Sequence, residues 1–178
     1  MSTTTMSVAP AAHAQQAPSP FESSVPYTGE WGDALVIYCT DPRYRRQTHE
    51  LLHDQLGLQH PAVITVPGGV AVLLPLVGIA HKLVKGWLDL LFAKHRPRRI
   101  VCVAHQDCAA YGAAKHPVLN FLVKAATGHA MADLQQQHLR QAQTTLATWF
   151  PGIPVETYFA EVKAEPDGSH RVAFTPVT

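Results

Sequence analysis

Ala34-Leu35-Val36-Ile37-Tyr38 runs directly into Cys39-Thr40-Asp41-Pro42-Arg43, and Ile100-Val101-Cys102-Val103-Ala104 runs directly into His105-Gln106-Asp107-Cys108. Short apolar, β-branched runs of this kind read as buried strands. If both are parallel strands of one sheet, two cysteines and a histidine emerge at the same carboxyl edge, where open α/β sheets build their sites. Two soft sulfurs and an imidazole converging there suit Zn2+ with its fourth position left open. The pair reads as the centre of a zinc lyase or hydrolase.

The rest of the chain is consistent with that centre. Its 178 residues are enough for one domain with one substantial core. We expect that domain over residues 31–178, with residues 1–30 extended or disordered: they are rich in Ser, Thr, Ala, Gln and Pro and have little apolar surface to offset their ordering entropy. A formal net charge of +1 gives no electrostatic case for nucleic acid or an acidic membrane. Cys39, Cys102 and Cys108 are an odd set, which argues against a disulfide framework and for a reducing, cytoplasmic compartment. The start of the chain lacks a basic region followed by an apolar one, so no secretory signal is expected. The apolar stretch 70–92 is interrupted by Pro75, His81, Lys82, Lys85 and Asp89. It reads as a buried amphipathic helix, not a membrane span.

Taken in order, residues 48–55 read as a short helix with Leu51, Leu52 and Leu56 on its apolar side and Gly57 as its stop. Ala62-Val63-Ile64-Thr65-Val66 reads as a strand ending at Pro67-Gly68-Gly69. Two glycines there let backbone approach a ligand closely. A long helix follows, with Leu73, Leu76, Val77, Ala80, Leu83, Val84, Trp87 and Leu91 at helical spacing. Residues 109–114 read as a loop or short helix, followed by an apolar segment at 118–126. A further helix is expected over 131–150: Leu134, His138, Gln141, Thr145 and Trp149 trace one face, Leu139 and Leu146 another. Strands at 155–162 and 171–174 are joined by the turn signal Glu165-Pro166-Asp167-Gly168. Strand and helix alternate and end in a late antiparallel hairpin, which defines an α/β fold with a mainly parallel sheet flanked by helices.

Together the Cys39 and His105 motifs resemble those of the β-class carbonic anhydrases. That family carries Cys-x-Asp-x-Arg after its first strand and His-x-x-Cys after a later one, in the order seen here. The glycine pair and the late hairpin are similar too, and the resemblance spans roughly residues 33–175. It implies a β-carbonic-anhydrase-like fold with Cys39, His105 and Cys108 as ligands of one zinc ion per chain. It also implies Asp41 and Arg43 as a catalytic dyad beside the metal, and Gly68 and Gly69 at the substrate pocket. The implied activity is attack of zinc-bound hydroxide on a small heterocumulene, CO2 by default, with carbonyl sulfide and carbon disulfide as alternatives. Asp41 either pairs with Arg43 or closes the site as a fourth ligand; both states occur in the family. A homodimer or higher homo-oligomer is implied by the resemblance alone. The chain departs from the family in Ala109, where a glycine is usual, and in Val66-Pro67-Gly68-Gly69, where Arg-Asn-Ala-Gly is common. These changes give the pocket a different, more apolar wall.

Rival readings exist. His49-Glu50-Leu51-Leu52-His53 matches the His-Glu-x-x-His helix of zincin proteases, but Gly57 and His60 each fall one residue too late for the extended protease motif. Two surface histidines on a helix explain that stretch more simply. Cys39 and Cys108 could be inert buried thiols, as Cys102 within its strand reads. A zinc-binding regulatory protein without turnover is a third reading. Tyr111, His116 and His129 are candidates for the pocket wall or for proton transfer, with no spacing argument behind them.

Overall fold

The computed structural model describes residue 20 and residues 22–30, 32–74, 79–112 and 131–178. Five strands form one sheet: β1 (Ala34–Cys39), β2 (Ala62–Val66), β3 (Arg99–His105), β4 (Val155–Ala164) and β5 (His170–Pro176), in the order β2-β1-β3-β4-β5. The first four run parallel and β5 returns antiparallel to β4. Strands β1 and β3 sit in the middle, covered on both faces, and they are the continuous apolar runs that such a position demands. Strand β2 lies at an edge and alternates half-buried and exposed residues.

Alternate side chains of the central strands feed two cores. On one face Leu35, Ile37, Ile100, Cys102 and Phe159 pack against Val84 and Leu88 of α2 (Ile79–His95) and Leu139, Ala142 and Leu146 of α4 (Met131–Trp149). On the other face Ala34, Val36, Tyr38, Val101 and Val103 pack against Tyr44, just before α1 (Arg45–Glu50), and Leu51, Leu52 and Leu58, after it. The connection from β1 leads outward to β2, and that from β3 leads the other way to β4. Adjacent parallel strands whose connections diverge leave a crevice at their carboxyl ends. Cys39 and His105 are the last residues of those two strands.

Helix boundaries differ from the sequence expectation in instructive ways. The first helix starts at Arg45 and continues as a wider π-type turn, Leu51–Gln55, which ends at Gly57 with φ 67. The long helix is divided: Gly69–Leu73 is a 3-10 turn, Leu74 is extended with ψ 138, and α2 is described from Ile79, with Leu76 and Val77 outside the described residues. Leu74 precedes Pro75, whose ring excludes helical backbone from the residue before it. The expected apolar face is also corrected. Leu83 and Trp87 are exposed, with Leu90 beside them, and Val84 and Leu88 carry the packing. In α4 the buried stripe runs through Leu134, Gln135, His138, Leu139, Ala142 and Leu146, between the two expected faces, leaving Gln141 exposed. Residues 118–126, His116 and His129 lie outside the described residues, as do 1–19. Residues 22–30 are exposed and carry neither helix nor strand. Among the described residues no helix is long and apolar enough to cross a membrane.

Candidate metal centre

The ladder between β1 and β3 sets Tyr38 opposite Val103, so both strands end at the same level. After β1, Pro42–Tyr44 forms a 3-10 turn capped by Asp41, whose Oδ1 accepts the Arg43 backbone N–H at 3.0 Å. After β3, Asp107 takes the left-handed conformation with φ 53, which Asp tolerates better than most residues. That reversal brings Cys108 back beside His105, at the start of α3 (Ala109–Gly112). The ligand atoms of Cys39, His105 and Cys108 all lie within 4.8 Å of one another, and all three residues are buried. The two sulfurs are 3.6 Å apart.

The surroundings of these atoms could hold a cation. His105 Nδ1 donates to the Gln106 carbonyl at 2.8 Å, since a carbonyl can only accept. Nε2 therefore carries the lone pair, and it is buried with no hydrogen-bond partner. A buried nitrogen left unsatisfied is costly, and a bound cation would satisfy it. The sulfurs have a matching need. Backbone N–H groups of Asp41 and Gly68 favour a thiolate at Cys39, and those of Ala110 and Tyr111 favour one at Cys108. The two would repel with nothing between them, so the pair keeps a proton. The hydrogen bond from Cys108 pulls Cys39 well below the usual thiol range, while giving that bond, together with burial, pushes Cys108 up. A soft divalent cation removes the conflict, and the donor set of two sulfurs and one imidazole fits zinc with a position to spare.

Asp41 and Arg43 form a forked pair beside the trio. Arg43 Nε lies 3.1 and 3.2 Å from the two carboxylate oxygens and Nη2 lies 2.7 Å from Oδ2. These bonds hold the Asp41 carboxyl below the usual carboxylate range. The same Nη2 donates to the Asp107 carbonyl at 2.9 Å, so one guanidinium ties the two motifs together. Asp41 Oδ2 is 4.0 Å from His105 Nε2. A cavity of about 1010 Å3 opens over Cys39, Asp41 and Arg43, with Pro42, Pro67, Val72, Ala109 and Ala110 in its wall. Gly68 and Gly69, expected at the substrate pocket, are buried and are not among the residues that line this cavity. A Cβ on Gly69 would lie 3.1 Å from the Cys39 nitrogen and 3.2 Å from the Tyr38 carbonyl carbon, on a backbone with φ 54. Glycine is required there because the turn after β2 lies directly on the end of β1.

The other candidates are elsewhere. His49 and His53 stack loosely, ring centroids 5.8 Å apart, across the junction of α1 with the wider π-type turn. Glu50 lines a separate cavity of about 510 Å3 with Asp54, Tyr158 and Phe174. Among the described residues Cys39, His105 and Cys108 are the one trio placed to share an ion. Cys102 is fully buried in the sheet core. Two residues given no role in the sequence reading touch the centre, Tyr44 with its ring and Gln106 with its backbone carbonyl. Tyr44 stacks on His105 with centroids 4.2 Å apart and donates to the Gln106 carbonyl at 3.1 Å. Only their adjacency to the two motifs could have marked them.

Tyr111 is buried behind Cys108, and its hydroxyl shares a hydrogen bond of 2.9 Å with His138 Nδ1 of α4. Burial pulls His138 from 6.5 down to about 4. Between those values the unfolded chain binds a proton that the folded chain refuses, so stability is full above pH 6.5 and falls as pH drops toward 4. We expect this group to remove about 2 kcal/mol of stability between pH 8 and pH 5. Urea unfolding at both pH values should show a correspondingly smaller loss in His138→Gln. Equal pH dependence in the two proteins would mean that His138 titrates freely when folded.

The fold and the trio define the class first: a mainly parallel α/β sheet with, at its switch point, a Cys-His-Cys cluster that could hold a metal ion. Residues 32–168 match the family model described as "Putative carbonic anhydrase", and the chain belongs to that family. Solved structures agree at the level of the fold. The β-carbonic anhydrase isoform I of Trichomonas vaginalis is 13% identical, with a TM-score of 0.51 over 85% of this chain and 87% of that one. A tetrameric β-carbonic anhydrase of Sordaria macrospora is 16% identical, with a TM-score of 0.51 over 83% and 84%. None of the curated proteins matches the sequence.

Proposed function

We propose that this chain is a zinc-dependent hydratase that converts CO2 to bicarbonate. The observation that carries the reading is the buried Cys39–His105–Cys108 trio with an unpartnered His105 Nε2, beside a carboxylate held by a forked arginine. Zinc, when bound by these three residues, supplies a Lewis acid that makes water acidic enough to lose a proton near neutral pH. Asp41, kept ionised by Arg43, accepts the hydrogen bond of the attacking water and aims it. The apolar wall admits an uncharged linear substrate, and Arg43, more than half exposed at the cavity rim, draws the anionic product outward. That same wall, with Pro67 and Val72, favours a second reading on the same residues: hydrolysis of carbonyl sulfide or carbon disulfide. The three free, buried cysteines suit a cytoplasmic protein. A homodimer or larger homo-oligomer is part of the proposal, the Sordaria relative being tetrameric.

The test is zinc content and stopped-flow CO2 hydration on one sample across pH. About one zinc per chain, with turnover rising as pH increases, is expected. Zinc without CO2 turnover would direct the search to carbonyl sulfide, carbon disulfide or a non-catalytic role. Failure to bind zinc after reconstitution would end the reading. His49→Ala should leave both zinc content and turnover within about twofold of the parent, as a surface substitution does. Loss of zinc in that variant would instead favour the protease motif.

A further inference from the structure

Tyr44 and Gln106 stand where the family pattern quoted above specifies no residue type, yet they make the closest ring contact to His105 and supply its hydrogen-bond acceptor. The Gln106 carbonyl receives two donors, His105 Nδ1 at 2.8 Å and the Tyr44 hydroxyl at 3.1 Å. Gln106 itself is stitched to β4: its N–H donates to the Ala160 carbonyl at 2.8 Å, and its side-chain oxygen accepts the Val162 N–H at 3.1 Å. The carbonyl is therefore fixed in direction by the sheet. Tyr44 closes the arrangement from the other side, buried, with its ring tilted 33° over the imidazole. It is the last residue of the 3-10 turn that also carries Arg43.

We propose that Tyr44 and Gln106 are positioning residues for His105, locking its tautomer and ring plane so that Nε2 is reserved for the cation. Partners of this kind orient metal-binding imidazoles and raise their basicity. The inference rests on the zinc reading above and adds to it the residues that prepare the histidine. Tyr44 acts through His105 and touches no substrate. It also couples the two motifs: the turn that presents Asp41 and Arg43 is the turn that holds the imidazole.

The test compares zinc affinity, by chelator competition, and the melting temperature of the metal-free protein in the parent, Tyr44→Phe and Tyr44→Leu. Tyr44→Phe keeps the ring and loses only the hydroxyl. It should bind zinc about 3–10-fold more weakly, and Tyr44→Leu about 10–100-fold more weakly, so that phenylalanine restores part of what leucine loses. The metal-free melting temperature of Tyr44→Phe should match the parent, because the Gln106 carbonyl keeps its bond from His105. Cobalt-substituted Tyr44→Phe should show altered visible bands, reporting a reoriented ligand. Parent-like zinc affinity and parent-like cobalt bands in Tyr44→Phe would overturn the proposal, even if Tyr44→Leu failed to fold. A parent chain that binds no zinc would remove the functional reading itself, and this inference with it.

Discussion

Replacing Cys108 by serine is expected to abolish zinc retention and bring CO2 turnover to background. A structural zinc site contributes about 10–16 kcal/mol shared among its ligands, which puts one ligand near 3 kcal/mol, or roughly 10²–10³-fold in affinity. The serine hydroxyl is hard and stays protonated, so it replaces neither the charge nor the softness of the thiolate. Among the described residues no further cysteine or histidine lies with the trio to take its place, and the nearby Asp41 carboxylate is held by the Arg43 fork. Metal analysis after gel filtration gives the result directly, and the melting temperature of the zinc-treated variant should fall to its metal-free value. Cys102→Ala is the matching control: that thiol lies in the sheet core, and its loss should lower stability without changing zinc stoichiometry. A Cys108→Ser protein with full zinc and full turnover would dismiss the trio.

Arg43→Met should separate metal from chemistry. Methionine keeps most of the length and removes the fork, so zinc content should stay near one per chain while kcat falls about 10²-fold, the scale of a lost orienting group in acid–base or electrostatic catalysis. The cause is positional. Arg43 makes three close contacts to Asp41 and one to the Asp107 carbonyl, and without them the carboxylate is free to turn and titrates nearer its ordinary range. Arg43→Lys should recover only part of the loss, since a point charge cannot reproduce a forked pair. The stability change should be small because the arginine is exposed. Parent-like kcat in Arg43→Met would show that Asp41 needs no restraint, and loss of zinc would make Arg43 a support of the metal loops instead.

The strands and the trio were readable because each signal is local. A buried central strand must be apolar throughout, and the residues leaving it fall at its carboxyl end whatever the rest of the chain does. The face of α2 was not readable for the opposite reason. Leu83, Val84, Trp87, Leu88, Leu90 and Leu91 surround the helix, and only the sheet beneath selects Val84 and Leu88 for burial. The break at Leu74 was visible in Pro75 but was outweighed by apolar spacing. Tyr44 and Gln106 act through contacts made across the fold, 62 positions apart in chain, for which no spacing rule exists. His49-Glu50-x-x-His53 shows the converse: a complete local motif with no third ligand to meet it among the described residues.

The pairing of β1 with β3 sets Tyr38 against Val103, and this alignment acts as a vernier. Sliding one strand past the other by a single position would move Cys39 about 3.3 Å along the sheet and turn its side chain to the opposite face. The sulfurs, 3.6 Å apart in the correct alignment, would then no longer share an ion. On the proposed zinc reading, an ion that binds only the correctly aligned chain would lower its free energy relative to every slipped competitor, so that metal capture would select the register.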